Sequence, residues 1–221
     1  MNTPRKDVWT IVVAGGSGAR FGGLKQFAEL SGRRMVDWAV DAAAGVSSGV
    51  VVVVPRAAAD DPGFEHPTAA TTVVAGGDTR SQSVRCGLAA VPADARVICV
   101  HDAARPFATT TLFETVIAAV DSGVDAAIPG VDVADTIKVV DERGHVVSTP
   151  DRATLRAVQT PQAFRAEALR SAHATGAEAT DDAAVVEANG GIVVVVRGEV
   201  DNRKVTGPSD LEWARNTVVS R

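Results

Sequence analysis

Thr10-Ile11-Val12-Val13-Ala14-Gly15-Gly16-Ser17-Gly18-Ala19-Arg20-Phe21-Gly22-Gly23-Leu24-Lys25-Gln26-Phe27 is the stretch around which the chain is organised. Its β-branched run, Ile11 to Val13, stops at two glycines and reads as a buried strand delivering its carboxyl end to a loop. Gly15, Gly16, Gly18, Gly22 and Gly23 carry no side chain, so backbone N–H groups there can close on an anion. Arg20 and Lys25 add two cations to a loop already shaped for phosphate. A P-loop is excluded, because Lys25 is followed by Gln26 and no hydroxyl stands ready for a metal. A dinucleotide fingerprint fits poorly too. The loop is charged, and the second strand ends Val53-Val54-Pro55-Arg56, without the acidic residue that would hold a ribose.

Outward from this loop, strand and helix patterns alternate. Met35, Val36, Ala39, Val40 and Ala43 form a helical stripe ended by Gly45, and the valine run over 49–54 predicts a strand covered on both faces. A third strand over 71–75 ends at Gly76-Gly77, before a helix that runs to about residue 91. A fourth strand is expected over 96–100, ending at His101-Asp102-Ala103-Ala104-Arg105-Pro106-Phe107. A helix over 112–120 and a strand over 125–129 follow. The alternation predicts an α/β fold, a Rossmann-like, mostly parallel central sheet covered by helices, with working residues at the strand ends.

The alternation breaks at Val131. Residues 136–140 and 145–148 alternate around Asp141-Glu142-Arg143-Gly144 and predict a protruding β-hairpin arm. We expect one domain over 1–221, with an excursion over 132–156 whose apolar face pairs with a second subunit. Further on, helices are expected around 167–173 and over 181–189, the second with Thr180 as its N-cap, then a strand over 192–196. A closing helix is expected over 210–219, capped near Ser209.

The chain's 221 residues, 46% hydrophobic and 22% charged, suit a globular protein with a full core. A net charge of -5 argues against a general nucleic-acid binder. Cys86 and Cys99 lack metal-site spacing and read as reduced. No run approaches the roughly 18 apolar residues of a membrane span, and the first residues lead into no signal-type core, so a cytoplasmic protein is expected.

Two segments remain open on residue chemistry alone. Asp78 and Ser83, after the second glycine pair, could cap a helix or could meet a nucleobase. Asp102 could form a structural ion pair with Arg105 or serve a site at the strand end.

The glycine-rich loop resembles the signature of sugar-phosphate nucleotidyltransferases. With Gly76 to Ser83, His101 to Phe107, Asp135-Thr136, Val158 to Gln162, Thr180-Asp181-Asp182 and Asn202 to Thr206, the chain resembles the 2-C-methyl-D-erythritol 4-phosphate cytidylyltransferase family from about residue 10 to 214. Two departures stand out: Leu24 replaces the family's usual Pro, and Ala14-Gly15 stand where it has alanines, in a shortened loop. The resemblance implies transfer of CMP from CTP to 2-C-methyl-D-erythritol 4-phosphate, with Mg2+ or another divalent cation and as a homodimer. It implies that Arg20, Lys25, Arg152 and Lys204 are the catalytic cations. The nucleotide would lie on Ala14, Gly15, Gly16, Gly18, Gly76, Gly77, Asp78, Ser83, Asp102 and Ala103. The acceptor would lie on Asp102, Arg105, Thr136, Arg152, Thr160 and Lys204. Asp102 and Asp201 are the implied metal ligands. No base is needed, because a phosphate monoester has its second pKa near 6 and attacks as a dianion, so His101 receives no catalytic role. The nearest alternative keeps the fold and takes ribitol 5-phosphate; an NAD(P)-dependent oxidoreductase is disfavoured by Arg20 and Lys25.

Overall fold

The computed structural model describes residues 4–16 and 24–219. In chain order, β1 (Arg5–Val13), a 3-10 turn (Lys25–Phe27), β2 (Glu29–Leu30) and β3 (Arg33–Arg34) lead into α1 (Met35–Ala44). Then come β4 (Ser47–Val54), α2 (Arg56–Ala59), β5 (Thr72–Ala75), α3 (Arg80–Ala90), β6 (Val97–Asp102) and α4 (Thr110–Asp121). The second half holds β7 (Ala126–Asp132), β8 (Val139–Val140), β9 (Val146–Ser148), β10 (Arg156–Val158) and β11 (Gln162–Arg165). It closes with α5 (Ala166–Ala174), α6 (Asp182–Ala188), β12 (Val193–Arg197) and α7 (Pro208–Val219).

β1 lies inside the sheet, parallel to β4 on one side and to the central strand β6 on the other, and β5 extends the sheet beyond β4. Because strand side chains alternate, β4 serves both faces: Val50, Val52 and Val54 join α1 and α4, while Val51 and Val53 join α3, α5 and α6. All five are at most 1% exposed, and burying each contributes roughly 2 kcal/mol relative to leaving it in water. A third cluster of Leu30, Met35, Phe107, Val205, Leu211 and Ala214 seats α7 against the loop that follows β6.

The sheet is mostly parallel, as expected, with one inserted exception. β11 runs antiparallel between β6 and β7, and β10 continues along β7 in the same sense, while β12 lies parallel on the other edge of β7. Between Val158, opposite Gly130, and Ala163, opposite Ala127, five steps of chain oppose three. The surplus forms a bulge at Gln159, Thr160 and Pro161, with a cis bond before Pro161.

Several boundaries differ from the sequence reading. β6 runs through His101 to Asp102, so Asp102 ends the strand instead of following it. Asp181, not Thr180, caps α6, its carboxylate accepting from the Ala184 amide at 2.9 Å. A carboxylate there also answers the helix dipole, which a Thr hydroxyl does less well. α7 starts at Pro208, and Asp210 in its first turn accepts from the Thr206 and Gly207 amides. The hairpin strands are only two and three residues long, with Gly144 at φ +81° in the turn. Ile137, Val139, Val140, Val146 and Val147 on this arm are exposed in the single chain. Asp201 lies beyond the end of β12, in an exposed turn. Among the described residues, no helix is long and apolar enough to cross a membrane.

Candidate active site

The carboxyl ends of β1, β4, β5 and β6 open into a cavity of about 740 Å³. Ala14, Gly15 and Gly16 extend β1 into it, and Gly76, Gly77, Asp78 and Ser83 enter from β5 and α3. Asp102, Lys25 and Lys204 complete the sequence-predicted residues that line it. Gly18 and Arg20 lie outside the described residues.

Close approach constrains three of these glycines, and a Cβ on Gly77 would sit 2.5 Å from Gln82 Cβ. A Cβ on Gly76 would sit 2.7 Å from the Ser83 hydroxyl oxygen, and one on Gly15 would sit 3.1 Å from it. Ser83 is thus wedged between two strand ends. Its hydroxyl proton goes to the Thr79 carbonyl at 2.9 Å, which leaves the oxygen an acceptor. Helix capping falls instead to Thr79, whose side chain accepts from the Gln82 amide, and the Asp78 amide donates to Gln82 Oε1 at 2.8 Å.

Asp102 sits between two cations. Lys204 Nζ donates to Oδ2 at 2.6 Å, and Arg80 Nη2 lies 3.5 Å from Oδ1. Burial works to raise its pKa, but Arg80 and Lys204 outweigh that effect and hold the carboxyl well below the usual carboxylate range. Asp102 is therefore an anion with two fixed countercharges.

Behind it, a chain of hydrogen bonds sets the loop. The Asp102 amide donates to Thr160 Oγ1 at 3.0 Å, the Thr160 hydroxyl reaches His101 Nδ1 at 3.1 Å, and His101 Nε2 faces the Arg105 carbonyl at 3.1 Å. A carbonyl only accepts, so the imidazole proton is on Nε2 and Thr160 donates to Nδ1. Burial pushes the His101 pKa down to about 4, leaving a neutral ring whose two nitrogens organise the loop. Burial likewise lowers the Arg105 pKa, against the pull of Asp102. Arg105 does not line the cavity: it donates to the Asn202 carbonyl at 2.7 Å and the Val158 carbonyl at 3.2 Å. Ala103 is buried, its amide on the Val13 carbonyl.

Four residues carry parts of the site that sequence reasoning missed. Gln26, only 4% exposed, donates to the Ala14 and Gly16 carbonyls and so joins the Lys25 turn to the end of β1. Gln159 donates to the Glu199 carbonyl at 2.7 Å and accepts from the Glu199 amide at 3.1 Å, standing in for a strand partner. Asn202 donates to the Thr160 carbonyl at 2.8 Å. Together with Lys25, which donates to the Val205 carbonyl at 2.8 Å, they locate the loop that bears Lys204. The fourth is Arg80, on the cavity wall. It lies inside a stretch the sequence singled out, but its partner Asp182 is 102 positions away and leaves no local signal.

Thr136 and Arg152 do not line this chain's cavity; both are exposed at the feet of the arm, where Arg152 donates to the Ala134 carbonyl. Asp201 is also outside the cavity wall. Among the described residues, no group of three His, Cys, Asp or Glu side chains could hold a metal alone. One ionised carboxylate, Asp102, does fit a magnesium ion that leans mainly on substrate phosphates and water. Leu24 has φ −76°, a value proline also adopts, so the departure from the family's usual Pro leaves the backbone there in a proline-compatible conformation.

A glycine-walled cavity with lysine and arginine around one carboxylate, at the carboxyl edge of a doubly covered sheet, marks an α/β protein built for phosphorylated ligands. The family model described as "IspD: 2-C-methyl-D-erythritol 4-phosphate cytidylyltransferase" matches residues 8–220, and the chain belongs to that family. It is 45% identical to the 2-C-methyl-D-erythritol 4-phosphate cytidylyltransferase of Rhodococcus opacus (strain B4), over 97% of this chain and 96% of that one. It is 42% identical to the protein of the same name from Nocardia farcinica (strain IFM 10152), over 97% of this chain and 95% of that one. In structure it is similar to 4-diphosphocytidyl-2C-methyl-D-erythritol synthase from Anaerococcus prevotii DSM 20548, with a TM-score of 0.81 and 27% identity, covering 98% of this chain and 99% of that one.

Proposed function

We propose that this chain transfers CMP from CTP to 2-C-methyl-D-erythritol 4-phosphate, releasing pyrophosphate, in isoprenoid precursor biosynthesis. Membership of the family over residues 8–220 carries this reading. A phosphate oxygen of the acceptor forms a bond to the α-phosphorus of CTP as the bond from that phosphorus to the pyrophosphate oxygen breaks. The nucleophile is already an anion at neutral pH, so the barrier lies in bringing two anions together in line. Cations and positioning lower it.

In this reading, Gly15, Gly16, Gly76, Gly77 and Ser83 receive the cytosine. The Ser83 oxygen, an acceptor, suits the exocyclic amine of cytosine and repels a carbonyl at that position. Lys25 and Arg20 stabilise charge on the triphosphate, and Lys204 and Arg152 place the acceptor phosphate. Asp102 would hold magnesium, with Asp201 the second ligand that the family resemblance implies, and the ion when bound neutralises triphosphate charge. Arg152 and Thr136 stand away from their own chain's cavity, which supports a homodimer joined through the arm, with each arm serving the neighbour's site. The CTP substrate and the two free cysteines favour the cytoplasm.

The deciding experiment is pyrophosphate release from CTP with a panel of polyol phosphates, each alone. Turnover with 2-C-methyl-D-erythritol 4-phosphate far above ribitol 5-phosphate is expected; the reverse order would reassign the acceptor.

A further inference from the structure

Behind the cavity wall lies a buried polar pair that the transfer chemistry does not use. Asp182, at the start of α6, has no exposed surface, and His173 on α5 is 2% exposed. A carboxylate so placed is costly unless both oxygens find donors. One oxygen faces His173 Nε2 at 3.0 Å and the other accepts from Arg80 Nη1 at 2.7 Å. His173 Nδ1 has no hydrogen-bond partner, so Asp182 is the ring's polar anchor.

The two contacts of Arg80 are unequal. Its 2.7 Å bond to Asp182 is short and charge-assisted, whereas Asp102 is 3.5 Å away, at the edge of hydrogen bonding. Asp182 therefore sets where the guanidinium sits, and Asp102 feels the result. Asp102 in turn holds Lys204 at 2.6 Å. Charges alternate in sign from the interior to the mouth of the cavity: Asp182, Arg80, Asp102, Lys204.

We propose that Arg80 is a positioning residue of this site, fixed from behind by the buried Asp182–His173 pair, and that it acts on the reaction through Asp102. Arg80 has this role only if the cytidylyltransferase reading holds. When an acceptor phosphate draws Lys204 away, Arg80 is the countercharge that remains to keep the Asp102 carboxylate in place. A purely structural pair would tie α5 and α6 to α3 without touching catalysis.

A double-mutant cycle separates the two roles. Asp182→Asn should lower kcat/KM for cytidylyl transfer about tenfold, and in an Asp102→Asn background the same change should cost less than about twofold, because coupled residues do not add. Arg80→Gln, at the half-buried cavity wall, should behave the same way and decides the matter if Asp182→Asn does not fold. His173→Gln, which returns an N–H to Asp182, should stay within about threefold of wild type, and His173→Leu should lose about tenfold. A core-packing role predicts the opposite order, with Leu tolerated better than Gln. Thermal unfolding of every variant monitors the fold. Additive losses in the cycle, or unchanged kcat/KM in folded variants, would overturn the proposal alone. A wild-type chain that releases no pyrophosphate from CTP with any polyol phosphate would overturn both it and the activity.

Discussion

The ammonium of Lys204 lies 2.6 Å from the Asp102 carboxylate, joining the end of the central strand β6 to a loop 102 residues later. The pair is uneven in exposure, 41% for the Lys204 side chain and 11% for Asp102. Water screens such a pair, so it contributes at most about 1 kcal/mol to stability. The loop is held chiefly by Gln159, Asn202, Arg105 and Lys25.

Lys204→Ala should therefore lower kcat/KM for the acceptor by about a hundredfold, the usual scale for a lost charge contact in a transition state. Its melting temperature should move by no more than about 4 °C. Steady-state kinetics beside a thermal scan checks both. A large loss of stability with near-normal kinetics would make the contact a structural staple.

Gly76→Ala should damage nucleotide binding. The new methyl would stand 2.7 Å from the Ser83 hydroxyl and 3.2 Å from Val53 Cγ1, so Ser83 must move. KM for CTP is expected to rise about tenfold or more, with the acceptor KM little changed. In the wild-type chain, CTP should greatly outperform ATP and GTP; equal turnover of purine triphosphates would remove the base pocket from this cavity.

Mixing inactive Lys25→Ala with inactive Arg152→Ala tests the shared site. If Arg152 serves the neighbouring chain, each heterodimer has one site with both defects and one with neither. Random exchange then restores activity to about one quarter of wild type. If no activity returns although exchange is verified, Arg152 works within its own chain.

Stability should fall on acidification in a window set by His101. Its pKa in the folded chain is pushed down to about 4, from an ordinary 6.5. Between those values the unfolded chain binds a proton that the folded chain refuses, so stability is full above pH 6.5 and declines toward pH 4. The loss is on the order of a few kcal/mol. Asp102, held low by its cations, adds a further loss only below the ordinary carboxylate range. Urea unfolding at several pH values should show a shallower slope in His101→Asn than in wild type; identical slopes would place the titration elsewhere.

The parts of the fold that rest on local pattern were legible in the chain itself. The valines of β4, the apolar stripe of α1 and the glycine pairs at residues 15–16 and 76–77 each carry their meaning within a few residues. Periodicity and missing side chains act at that range. Ser83 and Asp102 stay open on local pattern, and only the family resemblance assigns them. In the fold Asp102 ends β6, Ser83 lies in the helix after β5, and Lys25 lies in the 3-10 turn after β1, all at one edge of the sheet. What only tertiary structure decided is who meets whom across that edge. The insertion of β11 antiparallel between β6 and β7 brings Thr160 under Asp102, and the bulge there turns Gln159 toward Glu199. The packing of α6 beside α5 puts His173 on Asp182, and α3 brings Arg80 to the same carboxylate. These bonds join positions far apart in the chain, and no periodicity records them. They form because a buried polar group must find a partner wherever the folded sheet and helices leave one within reach.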